Sequence, residues 1–137
     1  MSDYQVLTTV TTVTDDRTWL ASLDGVHEAQ TIPVDTSKLT AGTHYTAGTQ
    51  NQPRHIIKSG IPLGKIAASG LYAPCNAAAS DGTQVLAGLL IAETAFTPGS
   101  TKTAGALLWR GEVYASKLPG AFAPPAAANT TAFIHYR

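Results

Sequence analysis

Apolar and polar positions alternate from the start of the chain: Tyr4, Val6, Thr8, Val10 and Thr12 share one parity in an uncharged run that ends at Thr14. Val and Thr favour extended backbone. Leu7 and Val13 fall on the opposite face, and no turn folds the run into a hairpin, so it reads as a single strand in need of a partner sheet. Asp15 and Asp16 then precede Trp19, Leu20 and Leu23, an acidic cap and apolar spacing that predict one or two helical turns ending at Gly25.

After Val26 the pattern changes to short β-prone pieces over 30–34, 55–58, 61–66, 70–74, 85–92, 106–115 and 132–136. Turn pairs at Ser59-Gly60, Ser69-Gly70, Asp81-Gly82 and Pro98-Gly99 punctuate them, each with a glycine that tolerates positive φ. Short strands with such punctuation predict a mainly β barrel or sandwich. The Gly/Thr/Asn/Gln-rich stretch 40–53 and the Pro/Ala stretch 118–128 read as surface loops. No repeat at a fixed period is visible, which removes solenoids and propellers from consideration.

Composition narrows the function more than the fold. A chain of 137 residues accommodates one domain with a real core. Nine Lys+Arg balance nine Asp+Glu, and charged residues make up 13% of the chain, about half the usual share of roughly 25%. Zero net charge removes the footprint of a protein that grips nucleic acid or an anionic membrane, so neither is an expected partner. The 44% hydrophobic content argues against disorder. The longest apolar stretch, 85–92, is far shorter than the roughly 20 residues of a membrane helix. The N-terminus has no basic region followed by an apolar run, so neither export by a signal peptide nor a membrane span is expected.

Candidate chemistry is sparse. His27, His44, His55 and His135 lack metal-ligand spacing, and Cys75 is the one cysteine, so neither a zinc site nor an intramolecular disulfide is expected. Gly60-Ile-Pro-Leu-Gly64-Lys65 has three residues between its glycines, where a phosphate loop has four, and Ile66 stands where Ser or Thr belongs. A strand bounded by two tight glycine positions is the better reading. No Gly-x-Ser-x-Gly elbow occurs. Asp35 and Asp81 have turn or cap explanations, and Asn129-Thr130-Thr131 matches the glycosylation pattern by accident. Arg110 and Glu112, two apart, share one strand face and predict a cross-strand ion pair. Trp109 takes the other face with Leu107, toward core or subunit contact. No catalytic site, metal or cofactor is expected.

An ordered series of motifs remains: Thr31-Ile-Pro-Val-Asp35, Ser37-Lys-Leu39 and Gly42-Thr-His-Tyr45; Lys58-Ser-Gly-Ile-Pro-Leu-Gly-Lys65; Gly70-Leu-Tyr-Ala-Pro74; Asp81-Gly82 and Ala87-Gly-Leu-Leu90; Leu108-Trp-Arg-Gly-Glu-Val113 with Lys117-Leu-Pro119. In this order the series resembles the head decoration proteins of tailed bacteriophages, the lambda-like group. It covers about 31–119, and more loosely Phe133-Ile-His-Tyr-Arg137.

The resemblance implies a mainly β fold of β-clip type, a small barrel or bent ribbon with one or two short helices, comprising an extended arm over 1–14 and a single domain over 15–137. It further implies a homotrimer that cements the outer surface of an expanded capsid at three-fold and quasi-three-fold positions, its partner the major capsid protein. Such a protein is made in the host cytoplasm and resides on the virion. The arm, with Tyr4, Val6, Leu7, Thr8, Val10 and Thr12, is the expected capsid-binding element, because an unpaired strand satisfies its backbone groups on a partner's sheet edge. Trp109, Arg110, Glu112, Pro119 and Phe122 are the expected trimer contacts. The segment before the shared core is longer than in the lambda-like pattern. A tail-tube or fibre-associated β domain is the alternative assignment.

Overall fold

The computed structural model describes residues 17–22, 25–26, 29–50, 53–119 and 122–137. Its strands are β1 (Gln30–Asp35), β2 (Tyr45–Thr46), β3 (His55–Ile57), β4 (Pro62–Lys65), β5 (Tyr72–Pro74), β6 (Gly88–Leu90), β7 (Thr94–Phe96), β8 (Lys102–Leu108), β9 (Arg110–Val113) and β10 (Phe133–Tyr136). Five of them close a barrel in the order β1-β5-β4-β6-β8, the circuit completed by six paired positions between β8 and β1. Closure removes sheet edges from this part of the fold. A three-stranded sheet, β2-β3-β7, and a parallel pair, β9-β10, complete the architecture. The mainly β expectation holds, and the helical turns among the described residues are the short 3₁₀ segments Thr36–Lys38, Ala115–Lys117 and Ala127–Asn129.

The pairing of β6 with β8 divides the core. Leu90 and Leu107 face a cluster with Ile32, Val34, Ile57, Ile61, Leu63 and Phe96. Their neighbours Leu89 and Leu108 face a second cluster with Trp19, Ile91, Val113 and Leu118. Successive strand side chains point to opposite faces, so a wall buried on both sides reads as the unbroken apolar pairs Leu89-Leu90 and Leu107-Leu108. Gly88 is needed inside it for a steric reason: a Cβ there would lie 2.5 Å from the Leu108 carbonyl oxygen.

All four glycines of the predicted turn pairs have positive φ. Within Gly60-Ile-Pro-Leu-Gly64-Lys65 the strand is β4, Pro62–Lys65; Gly60 forms the turn before it, and Gly64 lies inside the strand, whereas the sequence reading places it at the boundary. A Cβ on Gly64 would meet the Thr83 backbone at 2.7 Å, so the second glycine serves close chain approach and not phosphate binding.

The predicted helix is corrected over its described residues; Asp15, Asp16 and Leu23 lie outside them. Over 17–22 a single turn, closed by the Leu20 N–H to the Arg17 carbonyl at 2.9 Å, leads into extended chain. Leu20 bridges Val113, Ala21 N–H donates to the Glu112 carbonyl, and Tyr114 N–H donates to the Trp19 carbonyl. A short helix with β-branched Thr18 and bulky Trp19 is marginal alone, and the open flank of β9 satisfies the same backbone groups while burying Trp19. Two strands fall outside the predicted set: β2, inside a stretch read as loop, and β7. The piece read as one strand over 106–115 is two, β8 and β9, separated at Trp109.

Gly88→Ala is expected to destabilise the fold by about 1–3 kcal/mol through overpacking of the wall, read as a lower urea midpoint at unchanged m-value. A midpoint equal to that of the unsubstituted protein would show that the β6–β8 wall yields and is not the rigid partition described.

Candidate interaction surface

The second cluster is covered among others by the 17–22 segment, the β9-β10 pair and Leu118, which ends the Ala115–Lys117 turn. The first of these is the root from which 1–16 departs. It is fixed by Trp19, 1% exposed, whose indole N–H donates to Ser59 Oγ at 3.1 Å. Gly60 lets the indole approach, since a Cβ at Gly60 would stand 2.8 Å from Nε1. The candidate arm residues Tyr4, Val6, Leu7, Thr8, Val10 and Thr12 lie outside the described residues.

The five candidate trimer contacts fall in two groups. Trp109, Arg110 and Glu112 lie where β8 passes into β9. Arg110 is exposed and Glu112 half-buried on the same strand face. The cross-strand ion pair forms, with the partner supplied from the end of β10: Arg137 donates to Glu112 Oε2 at 3.0 Å, and His135 Nδ1 lies 3.5 Å from Oε1. Trp109 is half-buried and packs against the first core cluster. Its ring meets Phe133 edge-on at 6.2 Å. Phe133 is 72% exposed, the large apolar side chain that stands out among the described residues, and it was absent from the candidate set. The parity of β10 carries the missing signal: Ile134 and Tyr136 turn inward while Phe133 and His135 turn out.

Pro119 and Phe122 form the second group. Both line a groove of about 510 Å³ with Ile61, Pro62, Cys75 and Leu86. Its described lining contains no Asp, Glu, Lys or Arg, and its polar groups are Thr43, His44, Gln84 and Asn129. Phe122 leans on Tyr136, ring centroids 5.5 Å apart, which links the groove to the inner side of β10. The Tyr136 hydroxyl is buried with no hydrogen-bond partner. Burial, and then the neighbouring Cys75, push its pKa up to about 12. Pro119 also borders a smaller hollow of about 350 Å³ with Trp19, Lys58, Glu93 and Lys117.

Convergent polar groups are what a catalytic cleft requires. Of His44, His55, Asp35 and Glu112, only His44 reaches the groove, and His27 lies outside the described residues. Burial raises the Cys75 thiol, which keeps it protonated at neutral pH. Asp35 caps the Thr36–Lys38 turn by accepting from Ser37 N–H at 3.0 Å. Asp81 accepts from the Thr83 hydroxyl and N–H, and these bonds hold its carboxyl below the usual range. The two carboxylates are structural.

The described residues thus form a closed barrel with an aromatic outer patch, an uncharged groove and the 17–22 segment docked on its second layer. Comparison with family models makes the class specific: residues 26–132 match bacteriophage lambda head decoration protein D, and the chain belongs to this family. Neither the search of curated proteins nor that of solved structures found a match. The family assigns a structural role as a decoration protein of the phage capsid, at the virion surface.

Ser59→Ala removes the acceptor from a buried indole N–H and is expected to cost about 1–3 kcal/mol. Combined with Trp19→Phe, which abolishes the donor, the double variant should lose less than the two single losses added together. Urea unfolding of the four proteins checks this, and strict additivity would mean that the bond does not anchor the root.

Proposed function

We propose that this protein binds the outer surface of an expanded phage shell as a homotrimer at three-fold and quasi-three-fold positions and stabilises it. In this reading, residues 1–14 form an arm that adds as a strand to the major capsid protein, and 15–137 form the decoration domain. The observation that carries the arm model is the root. The chain entering the domain is fixed at Trp19 on the flank of β9, and the uncharged β-prone run 4–14 lies just before it in sequence.

Cementing requires no bond chemistry, only tighter binding to the assembled shell than to free subunits. Ordering an arm costs about 1–2 kcal/mol per backbone residue, so one arm alone binds weakly. Three arms on one trimer make the later contacts intramolecular and raise avidity by about 10² to 10⁴. Trimerisation is therefore part of the function. Trp109, Arg110, Glu112, Pro119 and Phe122 are the proposed trimer contacts. The exposed Phe133 beside Trp109 and the uncharged wall at Pro119 and Phe122 support that assignment, because interface cores are rich in aromatic side chains and poor in charge.

The isolated protein is expected to sediment as a trimer at micromolar concentration, and a clean monomer would count against this reading. Deleting 1–14 should leave the unfolding transition unchanged while abolishing co-sedimentation with expanded shells. Undiminished binding by the truncated trimer would overturn the arm model and leave the decoration role standing.

A further inference from the structure

The segment from Thr40 to Thr49, which contributes Thr43 and His44 to the groove, buries no side chain fully. Backbone bonds hold part of it: His44 N–H to the Thr40 carbonyl, Gly42 N–H to the Tyr45 carbonyl, Lys58 N–H to the His44 carbonyl. Two further ties end on imidazole rings. Thr40 N–H donates to His44 Nδ1 at 2.9 Å, and Gly48 N–H donates to His55 Nδ1 at 2.7 Å. A ring nitrogen accepts only while it carries no proton. In the imidazolium form both nitrogens are donors, and each tie becomes two N–H groups pointed at one another.

The surroundings of both rings are mapped by the same contacts. His55 on β3 is packed between Tyr45 of β2, at 4.8 Å, and Phe96 of β7, at 5.2 Å. Arg54 precedes it and spends its guanidinium on the Ala95 carbonyl. His44 faces Lys58, whose ammonium donates to the Gly42 carbonyl at 2.8 Å, and shares the groove with Cys75. Glu93 lies with Lys58 in the adjoining hollow. Among the described residues no carboxylate is ion-paired with either ring.

We propose that His44 and His55 form a two-point acid latch: as neutral rings they pin 40–48 against β3, and their protonation frees that segment, with the wall that Thr43 and His44 give the groove, while the barrel stays folded. Histidine is the side chain whose ordinary titration falls between about pH 5 and 8. For His44 the sign is set by burial first and Lys58 second, both of which lower its pKa in the folded protein. Its tie is therefore complete above the ordinary value of about 6.5 and is lost as pH falls through the folded value. The latch does not depend on the capsid-binding reading.

Two-dimensional NMR of the full-length ¹⁵N-labelled protein from about pH 7.5 to about pH 5 tests it. The Thr40 and Gly48 amides should titrate in step with the His44 and His55 rings. Their exchange protection, corrected for intrinsic rate, should fall about tenfold, the equivalent of one lost net hydrogen bond, while the Leu89 and Leu108 amides keep theirs. In His44→Asn and His55→Asn the side-chain oxygen takes the place of Nδ1 and does not titrate, so each variant should retain its own tie at the acid end. Rings that titrate while both amides stay unmoved would overturn the latch, as would core amides losing protection at the same pH. If an Asn variant fails to fold, the titration of the unsubstituted protein still decides.

Discussion

The two-sided burial of the β6–β8 wall is the constraint on which the rest of the structure depends. Leu89, Leu90 and Leu108 are at most 1% exposed and Leu107 is 2% exposed. Four such side chains on two adjacent strands leave neither face available to water. Each is worth about 1.5–3 kcal/mol on burial, so both faces must be covered, and by different parts of the chain. The barrel strands and the β3-β7 pair cover one. The other needs a second layer, which a single closed barrel cannot supply from its own strands.

That second layer is where the features relevant to assembly sit. The 17–22 segment, β9-β10 and the Leu118 turn are held in place because they bury Trp19, Val113 and Leu118 against Leu89 and Leu108. Once their inner faces are committed, their outer faces are fixed in space: Phe133 and His135 on β10, and Glu112 on β9 with Arg137 from just past β10. A rigid outer layer matters for an assembly protein because contacts preorganised by the core lose less conformational freedom on binding than contacts on loose loops. The same hydrophobic demand that completes the fold thus positions the face proposed for contact with partners.

Local chemistry was legible where it acts locally. The four turn glycines, the Asp35 cap and the Asp81 turn follow from residues a few places apart. The seven strand pieces overlap eight of the ten strands and miss β2 and β7 for physical reasons. β2 and β7 are two and three residues long and exist through Tyr45, His55 and Phe96 meeting across about fifty positions of sequence, which no window contains. β8 begins four residues earlier than its apolar pattern because pairing with β1, not hydrophobicity, makes Lys102 to Gly105 extended. The 17–22 segment carries a cap-like signal that tertiary pairing with β9 overrides. The groove draws its lining from several separate stretches, so no motif announces it. Of the expected contacts, Glu112 was readable from its spacing to Arg110, but its actual partner, Arg137, is brought to it by a parallel pairing of distant strands.

The scarcity of charge takes on a physical meaning once the surface is in view. Lys and Glu side chains lose up to about 1.5–2 kcal/mol of rotamer freedom when ordered, and Ala and Pro lose almost none. The Pro119, Phe122, Pro124 and Pro125 side of the groove is built from residues of the second kind with one aromatic anchor. The β9–β10 face keeps its charges mutually satisfied, Glu112 already engaged by Arg137, so its desolvation on contact leaves no lone carboxylate. A protein whose surface carried the usual density of Lys and Glu would have to immobilise and dehydrate them at every contact of a multivalent assembly. With charged residues at 13% of the chain, that cost is lowered by composition for whichever face the proposed assembly uses.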